Sequence, residues 1–412
     1  MSSNQNERKK PLSIQGQPFF GPVGITLVVA FVTALLPISI DLYLPGLPGM
    51  AKEFGASKGV VNLTLILFFL GMAGSMIVWG PLSDKYGRKP VLLAGLALFS
   101  ASSLACAVAA DIVQLILFRV LQSFGAGAGV AVNNAILKDV FSGRERERAL
   151  ATVITLILIA PVVAPALGGV LLQLMPWQGL FVLLGCLGLL ALGLSLLLGE
   201  TIRKRQQKNL LPTLARMVTV LKNPRFTFLL AVFSSPMLPA MAFVAASSYI
   251  YIQEYTLNEM QFGLFYMVIS AFRILGPYLY LFLSRSIPSR HIISAGFSAT
   301  LLTGILLAVF GPHGPVWFSA AIVPLISAGP MLRPPGVNLM LEQQDLEDAG
   351  SASSLINAAP FVFGGTGMLL ISLDMQHPIL LLSAMCVIIG TATTTLWLVA
   401  ARRPFVASVL ER

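Results

Sequence analysis

Stretches of about twenty residues with almost no charge recur along the whole chain, and this limits what it can fold into more than any other feature. A helix rises about 1.5 Å per residue, so about 20 apolar residues span a hydrocarbon core of roughly 30 Å. Such runs cover 22–43, 59–79, 90–110, 112–137, 149–174 and 177–198. After a polar stretch they resume at 226–250, 262–283, 292–310, 316–340, 349–373 and 378–401. With 56% hydrophobic and 11% charged residues, the chain has too little polar surface to cover a water-soluble body, so the surplus must face lipid. The pattern predicts an all-α membrane protein with six spans, a linker and six more. The expected units are an N-terminal tail (1–21), a first bundle (22–199), a linker (200–225), a second bundle (226–401) and a C-terminal tail (402–412).

An even number of spans returns both ends to one side, and the basic residues gather there. Arg8, Lys9 and Lys10 precede the first span, and Lys85, Arg88 and Lys89 follow the second. Lys138, Arg144, Arg146 and Arg148 follow the fourth, and the linker carries Arg203, Lys204, Arg205, Lys208, Arg216, Lys222 and Arg225. Arg285, Arg290, Arg402, Arg403 and Arg412 complete the set, against only Lys52 and Lys58 on the opposite side. The positive-inside rule therefore predicts cytoplasmic termini in a multi-pass inner-membrane protein, and it accounts for the net charge of +10 without a nucleic-acid partner. The first run reaches Asp41 with no small-residue cleavage site, so it reads as a span rather than a leader.

Other chemistry has little support. Cys106, Cys186 and Cys386 lie far apart within apolar runs, and His291, His313 and His377 share no ligand spacing. No triad or nucleotide-binding loop is present, so no enzyme, metal or cofactor is expected. In the linker, Leu210, Leu214, Met217, Val218 and Leu221 fall at helical spacing, predicting an amphipathic helix on membrane lipid. The sequence LSDKYGRK at 82–89 has a faint echo in LSRSIPSR at 283–290, after the second span of each half, as a duplicated six-helix unit would produce.

GPLSDKYGRK (80–89) resembles the signature segment of the major facilitator superfamily, between helices two and three. The resemblance implies twelve helices in two pseudo-repeats around a central cavity. It also implies a gate on the side of the termini. Gly80 would permit close helix approach and Gly87 a sharp turn. Asp84 would meet the start of helix eleven, and Arg88 would pair with Asp139. SIDLYLPGLP (39–48), RVLQSFGAG (119–127), APVVAPALGG (160–169) and AGSASSL (349–355) resemble the drug/proton antiporters of the bicyclomycin and chloramphenicol resistance type. Pro161, Pro165, Gly168 and Gly169 stand for the antiporter motif of helix five, with Ala164-Pro165 where Gly-Pro is usual. The implied activity is efflux of a drug or antibiotic in exchange for protons, by a monomer working through alternating access.

Asp41 is the only carboxylate inside a first-half span. Keeping a carboxylate away from water is costly and a proton relieves that cost, which suits a coupling site. Arg119, at comparable depth in the fourth span, is the expected partner that senses its protonation, with Gln122 or neighbouring backbone as further acceptors. Arg273 and Arg333 have no matching acid in the second-half spans. They could attract an anionic group in the cavity, or satisfy carbonyls freed by Pro334 and Pro335. These arginines favour an alternative, a proton-linked transporter of a polar metabolite or organic anion. Phe31, Tyr43, Tyr249, Phe265, Tyr266 and Met331 could line an adaptable pocket, and Asn133, Asn134 and Asn338 could supply its polar groups.

Overall fold

The computed structural model describes residues 19–202, 210–345 and 348–410, the side chains of 210–214 excepted. Most of the N-terminal tail, part of the basic linker, and the side chains of Leu210 and Leu214 thus lie outside the described residues. The first bundle contains α1 (Pro22–Asp41), short α2 (Leu47–Glu53), α3 (Lys58–Tyr86), α4 (Arg88–Ala107), α5 (Ile112–Val140), α6 (Gly143–Leu171) and α7 (Trp177–Leu196). The linker forms α8 (Leu210–Leu221). The second bundle contains α9 (Pro224–Ser234), α10 (Met237–Tyr249), α11 (Glu259–Leu283), α12 (Ser289–Phe310), α13 (Pro315–Leu341), α14 (Ala349–Leu373) and α15 (Pro378–Ala400), before a short α16 (Pro404–Leu410). Among the described residues, 12 helical segments are long and apolar enough to cross a membrane, with α1–α2 and α9–α10 each counted as one.

The two halves pack alike. α1 lies on α6, α3 on α5, and α4 on α5 and α7; correspondingly α10 lies on α14, α11 on α13, and α12 on α13 and α15. This matching arrangement expresses the duplication far more clearly than the faint repeat in sequence. Lipid-facing stripes remain apolar: Val113, Leu117 and Leu121 recur every fourth residue on α5 and are 62%, 58% and 46% exposed.

Three elements differ from the sequence reading. The signature segment is almost entirely helical, because α3 continues to Tyr86 and α4 starts at Arg88. Gly87 alone makes the turn, at φ 111°, where a side chain would be strained. The seventh span is broken between α9 and α10, where Pro236 cannot donate a helical hydrogen bond, and it ends in a wider turn over Ile250–Glu254. In α8, Met217 and Val220 are buried while Val218 and Leu221 are exposed, since the helix rests against α3, α9 and α14. Its inner face is thus set by protein contact, one residue away from the stripe that spacing suggests.

The halves meet mainly through α6 with α11 and α3 with α14. These contacts concentrate on the side away from the termini. There Asn62 donates to the Ser372 hydroxyl at 2.9 Å, Lys58 reaches the Met375 carbonyl at 3.5 Å, and Phe69 packs on Phe361 with centroids 5.5 Å apart. Toward the termini, α1 and α5 are not packed against α13. The interior is packed shut on the far side, and contacts between the halves thin out toward the termini.

Candidate functional site

Asp41 ends α1 and is only 5% exposed. Beyond it the chain turns through Leu44–Gly46, and α6 presses so closely that a Cβ on Gly168 would meet the Leu42 carbonyl. The groups that act on the Asp41 carboxylate come from the other half. Tyr266 and Arg273, two turns apart on α11, bear on it electrostatically, Arg273 from beyond ion-pair distance. Arg273 therefore has an acid to answer, across the interface rather than within its own bundle.

The expected Asp41–Arg119 pairing is absent from this conformation. Arg119 is fully buried and donates through Nη1 to the Ser39 carbonyl at 3.0 Å and to Gln122 Oε1, and through Nη2 to the Tyr43 hydroxyl at 3.2 Å. Its guanidinium lies 4.1 Å from the Phe68 ring centroid and 4.5 Å from that of Tyr43. The Gln122 and backbone contacts follow the sequence reading. The Ser39 carbonyl is one of those left unpaired at a helix C-terminus, where a cation is favoured. Asp41 itself turns to the second bundle. Gln122 extends the knot to Ser103 of α4 at 2.6 Å, and Tyr43 extends it to Thr64 of α3 at 3.1 Å.

The candidate pocket residues separate into two groups. Tyr43 and Tyr249 are fully buried, Tyr249 beneath Lys58, whose Nζ is 5.6 Å from the ring centroid. Asn133 is buried and ties α5 to α1 by donating to the Val29 carbonyl at 3.0 Å and to Thr33 at 2.9 Å. Met331 is buried near Gly296, a position set by the close approach of α12 and α13. None of these lines open space in this conformation. Phe265 is half-buried and stacks on Tyr251. Phe31 lies along a groove of about 680 Å³ between α1, α6 and α7, among apolar side chains such as Val163 and Leu167 on the outer flank. Asn134, Asn338 and Arg333 are exposed. Arg333 gives one hydrogen bond, 2.7 Å to Asn357 Oδ1, and none to the carbonyls freed by Pro334 and Pro335.

On the side of the termini, Arg88 contacts Asp84 at 2.6 Å and Asp139 at 3.0 Å, and donates to Ser83 at 2.6 Å. Glu200, which the sequence reading passes over, accepts from the Arg88 and Lys89 backbone N–H groups at 3.0 and 3.3 Å and so caps α4 from the end of the first bundle. A lone acid just past the sixth span, facing the start of the third, was the available signal. Among the described residues Asp84 makes no hydrogen bond or ion pair with the start of α14, being taken by Arg88; Asp348 there pairs with Arg216 of α8 at 2.9 Å. Gly80 faces open space, so it mediates no close approach in this conformation.

Pro161 and Pro165 lie inside α6 and are buried. Here α6 meets α11 backbone to backbone: a Cβ on Gly169 would strike the Glu259 carbonyl, and one on Gly263 the Pro165 carbonyl.

The sequence model described as the Major Facilitator Superfamily matches residues 29–368. An uncharacterized MFS-type transporter of Bacillus subtilis, YdgK, is 31% identical over 350 residues, 82% of this chain and 87% of the relative. A bicyclomycin resistance protein homolog of Haemophilus influenzae is 27% identical over 372 residues, 88% and 93% of the two chains. Among solved structures, a D-xylose-proton symporter superposes with a TM-score of 0.72 at 12% identity, covering 90% of this chain and 97% of the other, a likeness of fold.

Proposed function

This chain belongs to the major facilitator superfamily, and from that premise we propose that it expels small drug-like molecules from the cytoplasm in exchange for protons, by alternating access. The likeness to a bicyclomycin resistance protein homolog supports the substrate class. The position of Asp41 carries the mechanism: it is a buried acid in one bundle whose partners, Tyr266 and Arg273, belong to the other.

The excess of basic residues on the side of the termini supports cytoplasmic termini in an inner-membrane protein, and on that reading the conformation described faces inward. In it Asp41 is buried against α11, and the charge of Arg273 offsets only part of the cost of keeping an ionised carboxylate there. Opening outward moves α11 from α1 and exposes Asp41 to external protons. A protonated Asp41 no longer carries a charge into the closed interface, so the bundles close again with bound proton in place of drug. Returning inward, the proton leaves and drug enters. Each ligand shifts the balance only by its difference in affinity for the two states. Arg119 contributes by position: its bond to Ser39 pins the end of α1, fixing where Asp41 points.

The test is proton movement on drug addition to inside-out vesicles. Asp41→Asn should insert in normal amount and lose drug-dependent proton release, whereas exchange at the wild-type rate would discard the proposal. A second reading, export or uptake of an organic anion, is favoured by the two arginines of the second bundle.

A further inference from the structure

Resting on the export reading above, we propose that Arg333 and Asn357 recognise an acidic group on the transported molecule, of the carboxylate class, and that lipophilic cations are not carried. The argument begins with where Arg333 points. Its neighbours on α13, Met331 and Leu332, face Gly296 of α12, and Gly336 lies against Phe233 of α9. α9–α10 packs on both α13 and α14, and α12 and α15 cover the back of the bundle. To reach Asn357 on α14, Arg333 must cross in front of the seventh span, on the concave side that opens toward the termini. It is exposed there.

The guanidinium has five N–H donors, and one nitrogen is engaged, by a neutral amide oxygen. Asn357 donates its own Nδ2 to the Ser353 carbonyl at 2.8 Å, which fixes its oxygen toward Arg333 and so steadies the arginine. No carboxylate among the described residues is paired with Arg333. Asp41 is buried at the end of α1 facing α11, and Asp84 and Asp139 pair with Arg88. Glu342 stands nine residues along α13, roughly 13 Å toward the termini. The interior thus presents a positive charge with free donors and no spare acid. A guanidinium fork matches a carboxylate in shape and charge. A cation entering here meets repulsion and no partner.

Three probes in inside-out vesicles separate the possibilities: chloramphenicol hemisuccinate, which bears a carboxylate; neutral chloramphenicol; and tetraphenylphosphonium. The wild type should take up the hemisuccinate in a proton-dependent manner and exclude the phosphonium. Arg333→Gln should raise KM for the hemisuccinate about tenfold, the loss of one charge-assisted contact, and leave any uptake of the neutral compound within about twofold. Arg333→Lys should restore part of the effect. Asn357→Ala keeps the charge while releasing its anchor and should raise the same KM by a smaller factor, providing a second handle should Arg333→Gln fail to fold. Phosphonium uptake equal to that of the hemisuccinate, or an Arg333→Gln variant that slows all probes alike or none, overturns the inference alone. A wild type that moves none of the three in response to protons overturns the export reading, and the inference with it.

Discussion

Arg119 and Asp41 are both buried charged groups within the spans, but they differ in what surrounds them. Arg119 has no carboxylate, yet its charge is spread over a carbonyl, an amide oxygen, a hydroxyl and aromatic faces, all fully enclosed. Replacing it by Gln would leave several of those acceptors without a donor, at about 1–3 kcal/mol each. Arg119→Gln is therefore expected to lower the thermal midpoint of the purified protein clearly. Asp41→Asn, which keeps a hydrogen-bonding group of the same shape, should leave that midpoint nearly unchanged while abolishing proton exchange. A thermal-shift comparison separates the two roles; equal destabilisation would mean that Asp41 is structural. The sequence made Asp41 conspicuous because a lone acid in an apolar run has few explanations. It could not show the direction of the side chain, which in this conformation is turned toward α11 rather than paired with Arg119. The neighbours Asn133 and Asn134 make the same point, one buried and bonded to α1, the other exposed. In a membrane helix the lipid face and the packed face are both apolar, so hydropathy gives no phase to choose between adjacent positions.

The second, fifth, eighth and eleventh spans (α3, α6, α11 and α14) carry the main contacts between the halves, and the proposed cycle makes and breaks them. Because Gly263 of α11 rests on the Pro165 carbonyl, even a valine side chain there must push α6 and α11 apart. Gly263→Val should favour the outward-open form. This can be read with cysteines at Asn62 and Ser372, whose side chains meet at 2.9 Å between α3 and α14. In a background lacking Cys106, Cys186 and Cys386, the pair should cross-link readily under oxidation and stop transport until reduced. Adding Gly263→Val should slow the cross-link; an unchanged rate would show that the α6–α11 contact does not control closure. The apolar runs gave α11 and α14 within a few residues, but α6 starts at Gly143 and α3 ends at Tyr86, each a turn or two beyond its run. The signature segment was not legible as helix, because its helical part carries charges that resemble a loop: Asp84 and Lys85 ride on the last turn of α3 beyond the membrane. The residues Gly87 and Glu200 that shape the turn are 113 positions apart in sequence, and only the fold brings them together.

At the scale of the whole molecule, the charge of the cargo fixes how the membrane potential enters the cycle. One elementary charge crossing 100 mV exchanges about 2.3 kcal/mol. Expelling a neutral molecule for one proton moves a single charge inward, while expelling a monoanion moves the equivalent of two and gains about 4.6 kcal/mol per 100 mV. Export of a carboxylate probe should therefore respond about twice as steeply to an imposed potential as export of a neutral one, in free-energy terms. Proteoliposomes with a potassium-clamped potential measure this directly, and equal slopes would contradict the charge balance. The arrangement of two like bundles was foreshadowed by six runs, a linker and six more. Its clearest expression, the same helix pairings in each half, has no counterpart in residue identity because packing needs matching shapes rather than matching letters.

The glycine contacts between α6 and α11 have a further effect on the cell's economy of ions. Main chain lies directly on main chain there, with Gly169 against Glu259 and Gly263 against Pro165, leaving no room for even a methyl group. On the proposed exchange with protons, a seam of that kind is expected to hold back hydronium and sodium, so that an idle carrier does not drain the gradient that powers it. A bulky residue at either glycine would be expected to make resting vesicles leaky even with no cargo present.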